Sequence, residues 1–404
     1  MKKPLIPFGP VAERLAASAP APNVDAPTPT IGPTRLVILQ PTSFCNIDCS
    51  YCYVPDRQVK GLMSMEVLGK VFDRLVEEDL LGSRCSVVWH AGEPLTAGKT
   101  YFAEAFALAA EKLGGHTIGQ LTTQTNGTLI DEDWLTLFRD YKVRVGVSLD
   151  GPKHIHDMHR RDRKGRGSFD ATVRGLQQLQ AGGVDNYVLS VVTRPMLGMA
   201  REFYEFFEGL GVGDVGLIPE EVDGINAKSS LDGIAALRDF EAFTAQLHDV
   251  YQARGRKPEI REFRGVREAL FYNEPIESLD NNKTVAYHIL TVAKNGGFTT
   301  FSPELVGMPD GADYTFGNIL TDSLRGAVET EKFRHFYAQF MRGVARCRDE
   351  CDWFTLCGGG LPSNKLSEAG SLEVSETMSC QLHIQTFART VLGFYNQALL
   401  GQPT

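Results

Sequence analysis

The stretch that decides the fold is Phe44-Cys45-Asn46-Ile47-Asp48-Cys49-Ser50-Tyr51-Cys52-Tyr53, which follows the apolar run Leu36-Val37-Ile38-Leu39. The apolar run predicts a strand, and the three cysteines after it have the spacing C-x3-C-x2-C. Three thiolates in one short loop can each bind one iron of a [4Fe–4S] cluster, which leaves the fourth iron open to a small molecule. Zinc is the main alternative, although zinc usually takes a fourth Cys or His nearby. A disulfide would need an oxidising compartment.

This stretch resembles the signature of the radical SAM superfamily, including the aromatic Tyr51 before the third cysteine. The resemblance implies that the open iron binds the amino and carboxylate groups of S-adenosylmethionine. It also implies that an electron from the cluster cleaves this cofactor to a 5′-deoxyadenosyl radical, which takes hydrogen from the substrate. Cys45, Cys49 and Cys52 would be the catalytic metal ligands, and Tyr51 would lie at the cofactor.

Length, composition and net charge limit the classes of function that this chain could have. The chain has 404 residues, 43% of them hydrophobic, which allows two domains and a large core. A net charge of −9 argues against a nucleic-acid surface. No apolar stretch is long enough to span a bilayer, and prolines and charges interrupt the N-terminal region where a signal peptide would need an apolar segment. We expect a cytoplasmic protein with neither nucleic acid nor membrane as a partner.

Strand-like and helix-like segments alternate after a Pro/Ala-rich arm at 1–33. The predicted strands are 35–39, 85–90, 119–124, 143–149, 187–193 and 214–218, and the predicted helices between them are 64–81, 98–113, 131–140, 169–181 and 199–210. This alternation predicts an α/β fold with parallel βαβ units. A doubly wound sheet would give the same pattern, but the resemblance implies a partial (β/α)6 TIM-type barrel.

In such barrels the chemistry lies on loops that follow the strands. After the second predicted strand comes His90-Ala91-Gly92-Glu93-Pro94, which resembles the GGEP motif of the superfamily with Ala91 in place of its first glycine. The resemblance implies that Gly92 and Glu93 bind the amino group of S-adenosylmethionine, and a carboxylate is a suitable acceptor for an ammonium. A simple Gly-Glu-Pro turn is the alternative.

Later loops carry further cofactor candidates. Gln124-Thr125-Asn126-Gly127 resembles the QTNG segment of peptide-modifying members, where Asn126 would reach cofactor or substrate, although Asn-Gly is also a turn signal. Ser148-Leu149-Asp150-Gly151 resembles the SLDG stretch, in which the serine contacts the ribose. Of the arginines that follow, Arg161 is expected to pair with the methionyl carboxylate, with Arg160 and Arg163 as alternatives.

A second group of cysteines, Cys347, Cys351, Cys357 and Cys380, lies near the end of the chain. Four thiolates can fully ligate a second cubane, and a four-Cys zinc site is the alternative. This region resembles the SPASM/twitch domain of peptide-modifying radical SAM enzymes. It departs from the full pattern because Ser302 and Leu361 stand where cysteines are expected, so one auxiliary [4Fe–4S] cluster is predicted, making two in all.

A narrower resemblance, carried by the cysteine loop with Val54-Pro55-Asp56-Arg57, by Phe301-Ser302-Pro303-Glu304-Leu305 and by Cys357-Gly358-Gly359-Gly360-Leu361, is to cyclophane-forming maturases of ribosomally synthesised peptides. It implies a precursor peptide as substrate, a cross-link between an aromatic ring and a β-carbon, and a flavodoxin- or ferredoxin-type electron donor. The alternatives are an anaerobic sulfatase maturase, which forms formylglycine, and a non-catalytic zinc-bearing binding protein.

The predicted domains follow from these assignments. They are the arm at 1–33, a radical SAM barrel at 34–225, a helical bridge at 226–284 and a SPASM/twitch-like iron–sulfur domain at 285–404.

Overall fold

One sheet runs through the whole protein. The computed structural model describes residues 28–116, 118–271, 284–306, 308 and 313–400. Within them the strands are β1 Thr34–Gln40, β2 Leu81–Trp89, β3 Ile118–Thr125, β4 Arg144–Ser148, β5 Asn186–Val192, β6 Asp214–Pro219, β7 Glu259–Ile260, β8 Ile289–Ala293, β9 Gly297–Thr300 and β10 Gly317–Asn318. Their order in the sheet is β10-β9-β8-β1-β2-β3-β4-β5-β6-β7.

Helices connect the parallel strands and continue into the C-terminal part. Those of the barrel are α1 Met65–Glu77, α2 Lys99–Leu113, α3 Glu132–Asp140, α4 Lys153–His159, α5 Phe169–Ala181 and α6 Ala200–Gly209. They are followed by α7 Ile234–Ala253, α8 Arg261–Phe271, α9 Leu324–Ala327, α10 Glu331–Glu350, α11 Phe354–Cys357, α12 Pro362–Ala369, α13 Met378–Cys380 and α14 Phe387–Leu400, with a π-helical segment at Gln381–Thr386 between the last two.

The strands β1 to β6 pair in parallel and in sequence order, which confirms the predicted partial (β/α)6 barrel. The face of the strands that the helices cover is buried, as expected for a parallel sheet; Val37, Leu39, Val87 and Trp89 have no exposed surface. The helices pack one apolar face against this sheet. The consequence for function is that the loops after all six strands meet at one end of the barrel.

Element boundaries differ from prediction mainly between the first helix and the second strand. The helix predicted at 64–81 ends at Glu77, and the strand predicted from 85 already begins at Leu81. The reason is a backbone reversal at Asp79, where φ is +50°, after which Leu80 donates its N–H back to the carbonyl of Leu75. Position 79 is an aspartate and not the glycine that a positive φ favours, so neither the early end of the helix nor the early start of the strand could be predicted.

The C-terminal part joins the same sheet. The turn signal Asn295-Gly296-Gly297 predicts a hairpin at 285–305, and it is present as antiparallel β8 and β9. Strand β8 also pairs in parallel with β1, residue by residue from Leu36–Ile289 to Gln40–Ala293. At the other edge, the sequence predicts a helix at 259–272, but this segment first forms the short strand β7 against β6 and becomes helical only at Arg261.

The N-terminal arm is described only from residue 28, so the predicted arm at 1–27 lies outside the described residues. Its last part lies along the C-terminal segment, because Ile31 bridges to Ala286 and Gly32 donates its N–H to the Ala286 carbonyl at 3.1 Å. In the described part of the chain, every helix is too short or too polar to cross a bilayer.

Candidate active site

The loop after β1 brings its three cysteines to the wall of one cavity of ≈ 250 Å³ at the barrel mouth. Main-chain hydrogen bonds fix this loop. Cys45 donates its N–H to the Arg57 carbonyl at 3.0 Å, and Asp48 donates to the Arg161 carbonyl at 2.7 Å. The side chain of Arg163 donates to the Cys45 carbonyl at 2.8 Å. The loop is therefore held by the segment that follows β4.

The thiols of Cys45 and Cys49 are buried and hold their protons more tightly than a thiol in water. Burial raises the pKa of Cys45 to about 12, with the nearby Glu93 charge adding to the effect, and burial raises the pKa of Cys49 to about 11. Without a metal these thiols hold their protons at neutral pH, and cluster ligation has to displace them. Metal binding is therefore expected to release protons.

Gly92 and Glu93 follow β2 and face the cysteine loop. Gly92 has φ +57°, and a Cβ at this position would lie 2.6 Å from the Thr42 carbonyl oxygen and 2.7 Å from that of Phe44. Only glycine permits this approach, by which the two loops pack backbone to backbone. Glu93 donates its N–H to the same Phe44 carbonyl at 2.8 Å.

The Glu93 carboxylate is buried, with 1% of the residue exposed. Its oxygens accept hydrogen bonds from the Thr125 hydroxyl at 2.7 Å, the Asn126 N–H at 2.7 Å and the Leu95 N–H at 3.0 Å. Burial nevertheless raises the pKa of Glu93 to about 7. A carboxylate offers about four acceptor positions, so one remains for a cationic ligand group, which would favour the charged form.

Further polar atoms on the cavity wall have hydrogen-bonding capacity that the described residues do not use. The Ser148 hydroxyl accepts from Gln124 Nε2 at 3.0 Å and keeps its own proton free to donate. The Gln124 Oε1 atom is buried and has no partner. Together with the open acceptor position on Glu93, these atoms fit a polar small molecule such as S-adenosylmethionine beside a cluster held by the three cysteines.

Asn126 lines the same cavity, but its side chain is engaged with the cysteine loop. Its Nδ2 donates to Asn46 Oδ1 at 2.8 Å, and its Oδ1 accepts from the Thr128 hydroxyl at 2.7 Å and from the Thr128 N–H at 3.0 Å. The asparagine thus ties the turn after β3 to the loop that carries the cysteines.

The arginine at the cavity is Arg160, not Arg161. Arg160 is 8% exposed, and its Nε lies 3.0 Å from Asp150 Oδ1. Its Nη1 is 3.9 Å from Cys49 Sγ, while Tyr51 donates its hydroxyl proton to the other Asp150 oxygen. The Arg161 side chain lies outside the cavity and donates to the Asp157 carbonyl at 2.9 Å.

Asp150 and Arg160 therefore belong to the site together with the predicted Tyr51, as a buried ion-paired network behind Cys49. The signal available in the sequence was the aspartate of the Ser148–Gly151 stretch, two residues after the serine singled out there.

The wall made by β6 and the C-terminal hairpin is acidic: it contains Glu220, Glu221, Asp223 and Glu304. Burial and the charge of Glu221 raise the pKa of Asp223 to about 7, and burial and the charges of Asp223 and Glu221 raise that of Glu304 to about 8. Glu304 was part of a stretch singled out by resemblance, yet nothing in its sequence context predicts that it reaches the barrel mouth.

The four C-terminal cysteines also line a single cavity, between α10, α11, α12 and α13. Cys347 lies on α10; the sequence predicts this helix at 329–344, but it continues to Glu350. Leu361 lines this cavity as well, and Ser302 is buried beside the hairpin. Within the described ranges, no three Cys, His, Asp or Glu side chains are placed to hold one metal ion. In a cubane, each of the four thiolates would bind a different iron.

Comparison with known proteins agrees with this geometry. The profile of the Radical SAM superfamily matches residues 39–207. An uncharacterised protein of Synechocystis sp. is 38% identical over 381 residues, which cover 93% of this chain and 95% of the relative. The serine-type anaerobic sulfatase-maturating enzyme of Bacteroides thetaiotaomicron is 25% identical over 401 residues, which cover 93% and 94%.

Among solved structures, anSMEcpe with bound AdoMet and the Cp18Cys peptide matches with a TM-score of 0.74 and 25% identity, covering 91% of this chain and all (100%) of that one. Streptococcus suis SuiB bound to precursor peptide SuiA matches with a TM-score of 0.64 and 14% identity, covering 89% and 77%, and shares the fold. The barrel, the cysteine loop and the profile match agree that residues 39–207 form a radical SAM domain.

Proposed function

We propose that this protein is a peptide-modifying radical SAM enzyme that removes a β-hydrogen from a residue of a ribosomally synthesised precursor peptide and joins that carbon to an aromatic ring. The observation that carries the proposal is the shared cavity. Its lining includes Cys45, Cys49 and Cys52 together with carboxylates from the loop after β6 and the turn after β9. A peptide side chain in this cavity would lie near both a cofactor and proton acceptors.

In this proposal Cys45, Cys49 and Cys52 hold a [4Fe–4S] cluster and the neighbouring loops hold S-adenosylmethionine. When bound, these groups supply the hydrogen-abstracting radical on which the superfamily relies. Glu93 accepts a hydrogen bond from the cofactor's ammonium, and Ser148 donates to a ribose oxygen. Arg160 takes the role expected for Arg161, because it is the arginine whose guanidinium reaches the cavity.

The acidic wall has the chemistry to complete a cross-link. After the new carbon–carbon bond forms, the ring must lose one proton and one electron to become aromatic again. Glu304 lines the cavity, and among the described residues its Oε2 atom has no hydrogen-bond partner. Because its raised pKa keeps Glu304 protonated, we assign the ring proton to Glu221, which lines the same cavity and whose lowered pKa keeps it ionised. We assign the electron to an auxiliary cluster held by Cys347, Cys351, Cys357 and Cys380, with a flavodoxin- or ferredoxin-type carrier as the external partner.

Formylglycine formation is the second candidate. It is favoured by the identity to sulfatase-maturating enzymes along almost the whole chain and by the structural match to an enzyme with a bound cysteine peptide. Against it stand Ser302 and Leu361, which occupy positions where the full SPASM pattern has cysteines. A non-catalytic zinc protein would leave the cofactor-sized cavity and its unpartnered polar atoms without a role.

The deciding experiment is anaerobic co-expression with a precursor peptide encoded beside the gene, followed by tandem mass spectrometry. A cross-link would give a loss of two hydrogens with no fragmentation between the joined residues. Formylglycine from serine has the same mass change, but it would fragment normally and react with a hydrazine. Production of 5′-deoxyadenosine with an unmodified peptide would refute the assumed substrate.

The ligand assignments have their own test, in which iron is counted after anaerobic purification. We expect about eight irons per chain, since each cubane has four, and about four in Cys52→Ala or Cys357→Ala. Cys52→Ala should lose cofactor cleavage, whereas Cys357→Ala should keep it and lose peptide modification. The matched control is Cys85→Ala, because Cys85 is buried in the core away from both groups; its iron content should equal that of the wild type.

A further inference from the structure

Lys365 is a lysine with almost no contact with water. It lies on α12, is 1% exposed, and lines the cavity formed by the four C-terminal cysteines. Its Nζ is 3.4 Å from Cys347 Sγ and donates a hydrogen bond to the Val374 carbonyl. In the part of the chain that the structure describes, no carboxylate pairs with this ammonium.

A buried ammonium without an anionic partner is expensive, since charges leave water at a high cost unless they are paired. The anion that would compensate Lys365 is a cluster bound by four thiolates, which has a net negative charge in either oxidation state. The lysine therefore fits a charged cluster better than it fits four protonated thiols.

The surrounding backbone makes room for this side chain. A Cβ on Gly343 would lie 3.1 Å from Lys365 Nζ and only 2.0 Å from the Leu372 carbonyl oxygen, and a Cβ on Gly360 would lie 3.7 Å from Lys365 Cε. Gly360 belongs to the glycine run after Cys357. The missing side chain at Gly343 therefore leaves room for Lys365 to reach the Cys347 sulfur, whereas the distance at Gly360 is an ordinary contact.

We propose that the buried ammonium of Lys365 raises the reduction potential of the auxiliary cluster and so makes that cluster an electron acceptor. This inference rests on the auxiliary cluster of the proposed function. Reduction adds one electron to the cluster and neither forms nor breaks a bond. The added negative charge is stabilised by a cation fixed 3.4 Å from a ligand sulfur, because net charge and hydrogen bonds to the sulfurs set such potentials.

The donor and the acceptor of the electron are both species already named. In the reaction, the electron comes from the ring radical left after the carbon–carbon bond forms, and the proton released with it goes to the Glu221 carboxylate. The reduced cluster then passes the electron to the flavodoxin- or ferredoxin-type carrier. Lys365 acts only through the cluster, so it is a positioning residue for charge and not a catalytic residue.

The test is a redox titration followed by electron paramagnetic resonance, with dithionite as the reductant. It uses the full chain with Cys45, Cys49 and Cys52 replaced by alanine, so that the signal comes from the auxiliary cluster alone. In this background Lys365→Met should shift the midpoint to lower potential by at least the equivalent of a tenfold change in the ratio of reduced to oxidised cluster, about 59 mV for one electron.

Three further variants separate charge from packing. Lys365→Arg keeps the charge and should stay near the parent midpoint, and Lys365→Gln should shift like Lys365→Met. Lys332→Met removes an exposed lysine on α10 that pairs with Asp313, and it should leave the midpoint unchanged. An unchanged midpoint in both neutral variants would overturn the proposal. So would loss of the cluster in both neutral variants, because the lysine would then be needed for assembly.

These measurements distinguish failure of the inference about Lys365 from failure of the proposed function. If the parent protein holds no iron at the four cysteines, the auxiliary cluster is wrong and the role of Lys365 falls with it. If the cluster is present and responds to Lys365 but no peptide is cross-linked, the inference about potential stands and the substrate assignment is refuted.

Discussion

At the scale of single residues, the two neighbouring arginines give a matched pair. Arg160→Ala removes the partner of the buried Asp150 and should cost about 3–5 kcal/mol of unfolding free energy, because an uncompensated charge is left in the interior. We expect it to abolish cofactor cleavage. Arg161→Ala removes an exposed side chain and should change stability by less than about 0.5 kcal/mol. The measurements are chemical unfolding and 5′-deoxyadenosine formation; equal losses in both variants would contradict the placement.

Glu304 makes stability depend on pH. Its pKa rises from 4.5 to about 8 through burial and its acidic neighbours, so the folded protein keeps a proton that the unfolded chain has released. The free energy of unfolding of the iron-free protein should therefore fall as pH rises through this window. Glu304→Gln should remove that part of the fall and be more stable than wild type at pH 9 by on the order of 2 kcal/mol, after allowance for partial exposure.

Chemical unfolding at several pH values checks this expectation. The control is Glu104→Gln, on an exposed face of α2, which should follow the wild-type profile. If Glu304→Gln also follows the wild-type profile, Glu304 does not carry the proton in the folded state.

At the scale of elements, the contact between the loops after β1 and β2 depends on Gly92. Gly92→Ala adds a strained φ and a Cβ 2.6 Å from backbone, so we expect a loss of on the order of 3 kcal/mol and reduced iron at the cysteine loop. Gly211→Ala is the control, because Gly211 has a similar φ of +67° and no atom within 4 Å of a Cβ. It should cost about 1 kcal/mol and keep its iron. Normal iron content in Gly92→Ala would contradict the packing argument.

Elements could be predicted from the sequence where they depend on residues that are close together in the chain. The runs at β1 to β6 alternate with amphipathic helices, and the C-x3-C-x2-C loop lies in a single segment. What could not be predicted depends on distant packing. Arg160 and Arg161 are adjacent in a run of charges, and only the direction of the chain after α4 decides which one faces Cys49. Glu304 reaches the barrel mouth because β8 pairs with β1, a contact between residues about 250 positions apart in sequence.

At the scale of the whole molecule, Glu221 connects the barrel mouth with the C-terminal domain. Its Oε1 lies 3.2 Å from His383 Nε2 and accepts a hydrogen bond from Asn364 at 3.1 Å. Burial acts to raise the pKa of Glu221, but the His383 charge and the hydrogen bonds outweigh it and lower the pKa. Glu221 lines the cofactor cavity and also a second cavity that Cys357 and Cys380 share. It therefore lies between the two cysteine groups.

In Glu221→Ala, both groups of cysteines should keep their iron. Less cross-linked peptide should form per 5′-deoxyadenosine produced, because the barrel mouth and the C-terminal part are no longer held in a fixed relative position. We expect a loss of about 2–4 kcal/mol in unfolding free energy, because His383 and Asn364 are left without a partner. Glu241→Ala is the control: Glu241 joins α7 to α14 through an exposed pair with Arg389, and its loss should cost less than about 1 kcal/mol. An unchanged ratio of cross-linked peptide to 5′-deoxyadenosine in Glu221→Ala would contradict this role.

The pairing of β1 with β8 has a consequence for how such enzymes can diversify. Because the strand that leads into the cysteine loop has its second neighbour in the C-terminal domain, the two domains are not separate modules joined by a linker. A shortened protein that stops before β8 would leave the backbone N–H and C=O groups on one edge of β1 unpaired and would be expected to aggregate. New substrate preferences are therefore easier to obtain by changing loops on an intact sheet than by grafting one C-terminal half onto another barrel.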